Sequence, residues 1–191
     1  MKSANSSSKK NIPDWLLKAR EKWAYNGSKR PPFAESPKKG QLSVWDFPRP
    51  PALDRIAQTL QVYHQGIPIA TSKNGFAILE TASPPTYYIP PQDVSHSALV
   101  AIANKRSLCE WKGQAQYWAL IEDPLRPVAW SYAKPFEPYE DLKDYFAFYP
   151  QYLDCFVDGE KVIPQPGQFY AGWITKNLTG PFKGEPGTEH W

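Results

Sequence analysis

Hydrophobic and polar residues alternate in short runs from residue 42 onward, which is the pattern of β-strands rather than of helices. The runs that predict strands are 58–64, 67–72, 75–80, 108–122, 128–132, 146–148, 155–157 and 161–163. The pair Asn74-Gly75 favours a tight hairpin turn at the start of the run 75–80. Residues 87–89 lie between two Pro-Pro pairs and therefore predict at most an edge strand or an extended loop. Short helices are predicted within 92–103 and over 139–145, so the fold class is mainly β with minor helices.

The N-terminal part of the chain follows a different pattern. Four apolar residues recur at helical spacing in residues 13–26, namely Trp15, Leu16, Ala19 and Trp23. Pro13 suits a first helical turn, so this segment predicts a short amphipathic helix. We expect residues 1–12 to form a disordered basic tail, residues 27–42 a linker and residues 43–191 the β-domain. The helix is expected to clamp onto the domain; docking on a partner protein through residues 1–40 is the alternative.

Charge is distributed unevenly between these parts. Residues 1–40 hold ten Lys or Arg against three Asp or Glu, whereas residues 41–191 hold twelve against sixteen. The net charge of +3 therefore reflects the tail, and a nucleic-acid surface on the domain is not expected. No apolar run approaches the length of a membrane helix, and the N-terminus lacks the apolar core of a signal peptide. With only two cysteines, we expect a soluble cytoplasmic protein.

Several kinds of site are not encoded. The three histidines lie in separate segments without cysteine or carboxylate at ligand spacing, so no metal site is predicted. Neither of the two common glycine-rich phosphate loops occurs, and there is no Gly-x-Ser-x-Gly elbow of a serine hydrolase. We therefore predict no cofactor.

Strand parity singles out Glu80. In the apolar run 75–80, Glu80 shares a face with Phe76 and Ile78, so a regular strand would point its carboxylate inward. A buried carboxylate must find a partner or keep its proton, which makes Glu80 a candidate polar group in an apolar cavity. The alternative is a carboxylate at a strand end that turns to solvent or caps the next loop.

The segment CEWKGQAQYW at 109–118 combines a thiol, a cation and three large aromatic residues. Taken as one strand, it places Cys109, Trp111, Ala115 and Tyr117 on one apolar face and Lys112 on the other. Cys109 is a nucleophile if a nearby charge activates it, and otherwise a small buried hydrophobe. The aromatic residues crowd the second half of the chain, where they form either core or the walls of a cavity. The candidate pocket residues are Glu80, Tyr87, Trp111, Lys112, Tyr117, Trp130, Tyr132 and Trp173.

Six motifs occur in order along the chain. They are ETASPPTYYIP at 80–90, C-x-W-K-G-x-A-x-Y at 109–117, WSY at 130–132, AFYP at 147–150, PQPG-x-FY-x-GW at 164–173 and GPFKG at 180–184. Over roughly residues 43–187 this series resembles the domain-of-unknown-function family 427, and the N-terminal helix and linker look like the extension of photosynthetic-bacterial members.

The resemblance implies a β-tent-like fold, in which two antiparallel sheets lean together over a cavity. Related folds often carry zinc, but this chain lacks their paired cysteines, so zinc is not expected. The family is sometimes labelled nucleotidyltransferase-like. The Gly-Ser helix start and the Asp-x-Asp metal pair of such enzymes are both missing here, so that activity is not predicted.

These observations predict a soluble β-domain that binds a small, partly apolar or aromatic molecule in an aromatic-lined cavity. One alternative is an enzyme that uses Glu80 as acid or base, or Cys109 as nucleophile, in the same cavity. The other alternative is a protein-interaction module that acts through its N-terminal tail and helix.

Overall fold

The computed structural model describes residues 12–191. Residues 1–11 lie outside the described residues, and with them nearly all of the predicted disordered tail. The described chain contains one α-helix, α1 (Asp14–Arg20), which is shorter than the segment 13–26 predicted from the sequence. Short 3-10 helices cover Val44–Asp46, Pro91–Asp93, His96–Ala98 and Glu140–Leu142. The strands are β1 (Leu42–Ser43), β2 (Ala52–Arg55), β3 (Leu60–His64), β4 (Ile67–Ser72), β5 (Phe76–Leu79), β6 (Thr86–Tyr88), β7 (Leu99–Cys109), β8 (Gly113–Leu120), β9 (Ala129–Ser131), β10 (Phe146–Phe148), β11 (Asp154–Val157), β12 (Glu160–Lys161), β13 (Ile163–Pro164), β14 (Trp173–Ile174) and β15 (Leu178–Thr179).

The strands form antiparallel sheets, apart from one short parallel pair. One sheet has the order β10-β9-β8-β7, and a three-stranded sheet, β2-β5-β6, continues it through a bridge between Ile89 and Phe146. We call this combined surface the large sheet. The small sheet has the order β12-β11-β3-β4. Strands β13 and β14 form a further antiparallel pair, and β1 and β15 pair in parallel. The prediction of a mainly β domain with a short N-terminal helix and minor helices is confirmed.

The larger hydrophobic core lies between the two sheets. Alternate residues of the large sheet, such as Ala77, Ala129 and Phe148, pack together with Leu60 and Val62 of the small sheet. The remaining residues of the same strands, including Ile78 and Trp130, belong to a second cluster. Because neighbouring side chains of a strand point to opposite faces, this second cluster covers the face of the large sheet that is turned away from the small one.

A third cluster ties the terminal segments to the domain. Trp45 is fully buried, and the ring of Phe33 contacts it edge to face at 5.1 Å. Phe33 also stacks on Trp191, with ring centroids 5.1 Å apart. The segment 27–42, which was predicted as a linker, therefore contributes an aromatic side chain to this cluster.

Two element predictions are wrong. Residues 108–122 are not one strand, because the chain turns at 110–112 and Cys109 pairs with Gly113 across the turn. The Asn74-Gly75 pair does not close a hairpin either, since β4 belongs to the small sheet and β5 to the large one. The hairpin lies one turn earlier, at Gln65-Gly66, where β3 pairs with β4.

Other elements differ in detail from the sequence prediction. The segment 87–89 lies inside the large sheet, because β6 pairs with β5 and Ile89 bridges to Phe146. The helix predicted within 92–103 is limited to single 3-10 turns, and β7 begins at Leu99. Strand β2 was not predicted. No helix among residues 12–191 combines the length and hydropathy needed to cross a membrane.

Candidate functional site

A cavity of about 220 Å³ lies on the outer face of the large sheet. Side chains of β5, β6, β8 and β9 form its floor, and the turn between β7 and β8 forms one end. Its cover comes from outside the large sheet: Trp23 follows helix α1, Phe169 and Tyr170 lie between β13 and β14, and Lys183 follows β15. The space between the two sheets, by contrast, is filled by the larger core.

The structure brings six of the eight predicted pocket residues together. The cavity is lined by Glu80, Trp111, Lys112, Tyr117, Trp130 and Tyr132. Cys109 also lines it, but it lies at the end of β7, before the turn, so the parity of one continuous strand does not account for its position. Lys112 was placed on the opposite strand face, but it belongs to the turn rather than to a strand, so strand parity does not apply to it.

Tyr87 and Trp173 are not part of this cavity. Both lie in the core between the sheets, with their ring centroids 5.3 Å apart. The indole Nε1 of Trp173 donates to the carbonyl of Phe148 at 3.1 Å. On β6 it is the neighbouring Tyr88 that faces the cavity. Phe76 pairs with Tyr88 in the β5–β6 register, so the face shared by Phe76, Ile78 and Glu80 could have indicated Tyr88 once that pairing was known.

The turn that carries Trp111 and Lys112 is buried, which is uncommon for the tip of a hairpin. The side chains of Trp111 and Lys112 are only 5% and 8% exposed. Gly113 ends the turn with φ +100°, a conformation that L-residues rarely adopt, and the amide of Phe136 donates to the carbonyl of Lys112 at 3.1 Å. These contacts fix the turn against the 133–136 loop and hold both side chains at the cavity.

Lys112 is a buried cation. Burial opposes its charge, but the neighbouring Cys109, Tyr88 and Glu80 groups outweigh this effect and raise the pKa of Lys112 above its ordinary value. The amine is therefore protonated at neutral pH.

Three hydrogen-bond donors around the cavity have no acceptor among the described residues. They are the hydroxyl of Tyr88 and the indole Nε1 of Trp23 and of Trp111. Tyr88 is fully buried, and burial raises its pKa to about 12, so the hydroxyl keeps its proton at neutral pH. A buried donor without a partner costs about 1–3 kcal/mol, which makes three in one place an unusual arrangement.

Two more phenols complete the walls. Tyr132 is 3% exposed, and burial raises its pKa well above the ordinary value, so it too stays neutral. The hydroxyl of Tyr117 lies 2.7 Å from the hydroxyl of Ser107 on the neighbouring strand and is thus already hydrogen-bonded. The ring of Trp130 meets that of Tyr88 edge to face at 6.2 Å. The cavity is therefore apolar along its sides, with donors at a few defined positions.

Glu80 follows the end of β5 and has found a partner. Its carboxylate Oε1 accepts a hydrogen bond from Arg49 Nε at 3.2 Å. The Arg49 side chain is only 3% exposed and also donates to the carbonyls of Tyr25 and Thr81. The predicted inward carboxylate is thus neutralised by a guanidinium group at the edge of the cavity.

Trp23 is held by two cations. Arg49 Cζ lies 4.4 Å and Lys183 Nζ 3.7 Å from the centroid of its ring. Lys183 Nζ also donates to the main-chain oxygens of Glu189 and Trp191. Burial, together with the charge of Arg49, lowers the pKa of Lys183 to about 8. Sequence reasoning assigned Trp23 only to the amphipathic helix, because nothing in the local pattern indicates which part of the domain such a residue covers.

The two cysteines differ in environment. Cys155 is 1% exposed in the core between the sheets, and burial raises its pKa far above the ordinary value, so its thiol is inert. Cys109 is half-buried at the cavity, close to Lys112. Among residues 12–191, no three His, Cys, Asp or Glu side chains are grouped in a way that could hold a metal ion.

A comparison with protein families decides the relationship that the motifs indicated. The model of the domain of unknown function DUF427 matches residues 52–159, more than half of the chain. The chain belongs to this family. No curated protein matches it. The DUF427 match covers the floor and the turn of the cavity, whereas Trp23 and Lys183 in its cover lie outside the matched residues.

Proposed function

We propose that this DUF427 protein binds a small aromatic molecule in the cavity on the outer face of its large sheet. One observation carries the proposal: three residues that line a single aromatic-walled cavity also hold the buried donors without acceptors. A ligand with a flat apolar body and a few acceptor oxygens would satisfy these donors and pack against Trp111 and Trp130. The volume corresponds to about seven water molecules, which suits one or two fused rings.

The test is calorimetric titration of the protein with three neutral probes: phenol, indole and 2-naphthol. We expect saturable binding of at least one probe at one site per chain. Trp111→Ala removes a wall and should weaken binding about tenfold. Trp15→Ala is the matched control, because Trp15 is 60% exposed on α1 and does not line the cavity.

Two outcomes would overturn the proposal. One is that none of the three probes binds. The other is that a folded Trp111→Ala variant binds as the unaltered protein does. Where Trp111→Ala does not fold, Ala115→Leu replaces it, since it narrows the cavity from the floor without removing an aromatic side chain. Unchanged binding by Ala115→Leu counts against the cavity in the same way.

The enzymatic alternative uses Glu80 as acid or base or Cys109 as nucleophile, and the contacts of these two residues support it unequally. The Glu80 carboxylate is bonded to Arg49, which leaves it less suited to exchange a proton with a ligand. Cys109 lines the cavity beside a buried cation, as a thiol nucleophile would. Rapid alkylation of Cys109 by iodoacetamide at pH 7, lost in Lys112→Met, is the result that favours this alternative.

A protein partner that docks on the N-terminal segment is a separate proposal. Its support is the exposure of Trp15 (60%) and Leu17 (42%) on α1, two apolar side chains that the domain does not cover. Replacing both by serine leaves the residues that line the cavity in place. A partner that co-purifies with the full chain and is lost from this double variant supports the proposal, and an unchanged set of partners counts against it.

A further inference from the structure

Lys112 carries a buried positive charge that no protein carboxylate balances. Lys112 is only 8% exposed. Within the described part of the chain, no carboxylate oxygen lies within 4.0 Å of its amine, since each ion pair there involves other residues. Burying a charge is costly unless it is paired, so an isolated ammonium group at a cavity needs an explanation.

The other charged groups at the cavity have their own partners. Arg49 neutralises Glu80, and Lys183 donates to two main-chain oxygens and lies over the ring of Trp23. Glu110 also lines the cavity, but none of the ion pairs within 4.0 Å among the described residues joins its carboxylate to Lys112. Lys112 is therefore the cation of this cavity that is left for a ligand.

Cys109 is the first of the groups that raise the pKa of Lys112, and its role as a counter-ion is tested below. The tyrosines near Lys112 do not replace a counter-charge. Tyr88 and Tyr132 are neutral phenols, and the Tyr88 hydroxyl is itself a donor without an acceptor. Trp111, next to Lys112 in the turn, offers a further free donor in its indole N–H. The same cavity is thus lined by a cation and two neutral donors, the groups that an oxyanion accepts hydrogen bonds from.

We infer that the ligand is an aromatic carboxylate whose acid group binds Lys112, Tyr88 and Trp111 while its ring packs against the aromatic walls. This inference rests on the proposed function and adds to it the charge and the orientation of the ligand. A bound carboxylate balances the ammonium group and provides oxygen acceptors for both free donors at once.

The experiment compares 2-naphthoate with 2-naphthamide, which has the same ring system and a carbonyl but no charge. At pH 7 we expect the unaltered protein to bind 2-naphthoate about tenfold to hundredfold more tightly than the amide. Lys112→Met should lose this preference by weakening 2-naphthoate alone. The variant is expected to fold, because exchanging a buried charge for an apolar side chain of similar shape is often neutral or stabilising. Lys134→Met is the control, since Lys134 is exposed on the neighbouring loop and does not line the cavity.

The outcomes separate this inference from the function on which it rests. Equal affinity for the two probes overturns the inference and leaves aromatic binding intact. A preference that Lys112→Met retains overturns the assignment to Lys112. If neither probe binds, both the inference and the proposed function fail.

The pH dependence distinguishes the two lysines at the cavity. Burial and Arg49 lower the pKa of Lys183 to about 8, whereas the surroundings of Lys112 raise its pKa. The groups facing Lys112 are Cys109, Tyr88, Tyr139 and Glu80, of which the tyrosines stay neutral at pH 9.5 because their pKa values are raised to about 12. The preference for 2-naphthoate should therefore persist from pH 7 to pH 9.5 in the unaltered protein, which keeps Cys109, the first of the groups that raise the pKa of Lys112. A preference that disappears over this range indicates Lys183 and overturns the inference.

The last test asks whether the thiolate of Cys109 is the counter-ion of Lys112. If its thiolate already balances Lys112, iodoacetamide should alkylate Cys109 rapidly at pH 7 and slowly in Lys112→Met. That result would identify a protein counter-ion and overturn the ligand assignment. Slow alkylation in both proteins is expected, and bound 2-naphthoate should slow it further because the cavity is then occupied.

Discussion

At the scale of single residues, two buried tyrosines differ in a way that predicts opposite effects of the same substitution. The proton of the Tyr88 hydroxyl has no acceptor, whereas the Tyr139 hydroxyl donates to the carbonyl of Pro51 at 2.7 Å. Tyr88→Phe should raise the free energy of unfolding by about 1 kcal/mol, because it removes a desolvated donor. Tyr139→Phe should lower it by about 1 kcal/mol, because it breaks a hydrogen bond. Urea denaturation measures both.

The pair also tests the description of the cavity. Both side chains are at most 1% exposed, so burial does not distinguish them. Equal destabilisation by the two substitutions would mean that the Tyr88 hydroxyl has an acceptor, and the argument for a ligand would lose one of its three donors. Affinity for 2-naphthoate should fall in Tyr88→Phe even though the protein becomes more stable.

Lys183 predicts a pH dependence of stability. Its pKa is about 8 in the folded protein, against 10.5 as the ordinary value, so between these pH values the unfolded chain binds more protons. The free energy of unfolding then rises with pH through this window, and the folded state is penalised at lower pH. Urea denaturation at pH 7, 8.5 and 10 should show the unaltered protein gaining stability relative to Lys183→Met. A constant difference between the two proteins would contradict the lowered pKa.

At the scale of secondary-structure elements, the turn between β7 and β8 depends on Gly113. This glycine has φ +100°, and an added Cβ would lie 3.3 Å from the carbonyl oxygen of Lys134. Gly113→Ala should lower the free energy of unfolding by about 1–3 kcal/mol and weaken probe binding, because the turn positions Trp111 and Lys112. Calorimetric titration and urea denaturation give the two readouts.

Gly66→Ala is the control for this substitution. Gly66 also has a positive φ, +79°, in the turn between β3 and β4, but nothing lies within 4 Å of an added Cβ. It shares the backbone strain without the close contact and lies in the small sheet. Gly66→Ala should therefore cost less stability than Gly113→Ala and leave binding unchanged. Equal effects on binding would mean that the turn does not position the site.

The alternation of apolar and polar residues predicted which side chains of a strand share a face. The prediction failed at two turns, whose positions the sequence does not show. Ala115 and Tyr117 point to the predicted face because parity holds within β8. The turn at 110–112 has no Asn-Gly or Asp-Gly pair, so the apolar alternation ran through it. The Asn74-Gly75 pair has such a signal, yet it connects two sheets, because tertiary pairing decides which strands become neighbours.

The assignment of Tyr87 instead of Tyr88 has the same physical origin. Two adjacent aromatic residues on a strand must face opposite sides, and the local pattern does not show which side holds the cavity. Only the register with β5, where Phe76 lies opposite Tyr88, resolves the choice. Trp173 was grouped with the site by its motif, but its indole N–H is satisfied by Phe148 in the core.

At the scale of the whole molecule, the cavity is a product of two parts of the chain. The family match covers the strands that form its floor, while the segments before and after these strands supply Trp23, Phe169 and Lys183 as cover. The sequence predicted residues of the floor because the side chains of a strand alternate between the two faces of the sheet. It missed Trp23 because the docking of an irregular segment depends on long-range contacts, such as that of Arg20 Nε with the carbonyl of Glu110 at 2.8 Å.

This division predicts that ligand binding stabilises the cover on the domain. Helix α1 touches the turn through Arg20, whose guanidinium lies 4.9 Å from the centroid of the Trp111 ring. An open cleft lined by Leu17, Trp23 and Arg49 lies beside this contact. A ligand that packs against Trp23 and Trp111 should therefore lower amide hydrogen exchange in residues 14–25 and 109–113. Exchange in β3 and β4 should not change, because these strands lie in the small sheet beyond the larger core.

Hydrogen exchange followed by mass spectrometry, with and without saturating 2-naphthoate, makes this measurement on the full chain. Lys112→Met at the same probe concentration is the control, because we expect it to keep the fold and to bind the anion weakly. Protection of the two named segments alone would show that the N-terminal segment belongs to the binding unit, which it joins through Trp23 and through the contacts of Arg20 with the turn. Protection of 109–113 without 14–25 would restrict the site to the family-matched strands and leave the N-terminal segment for another role.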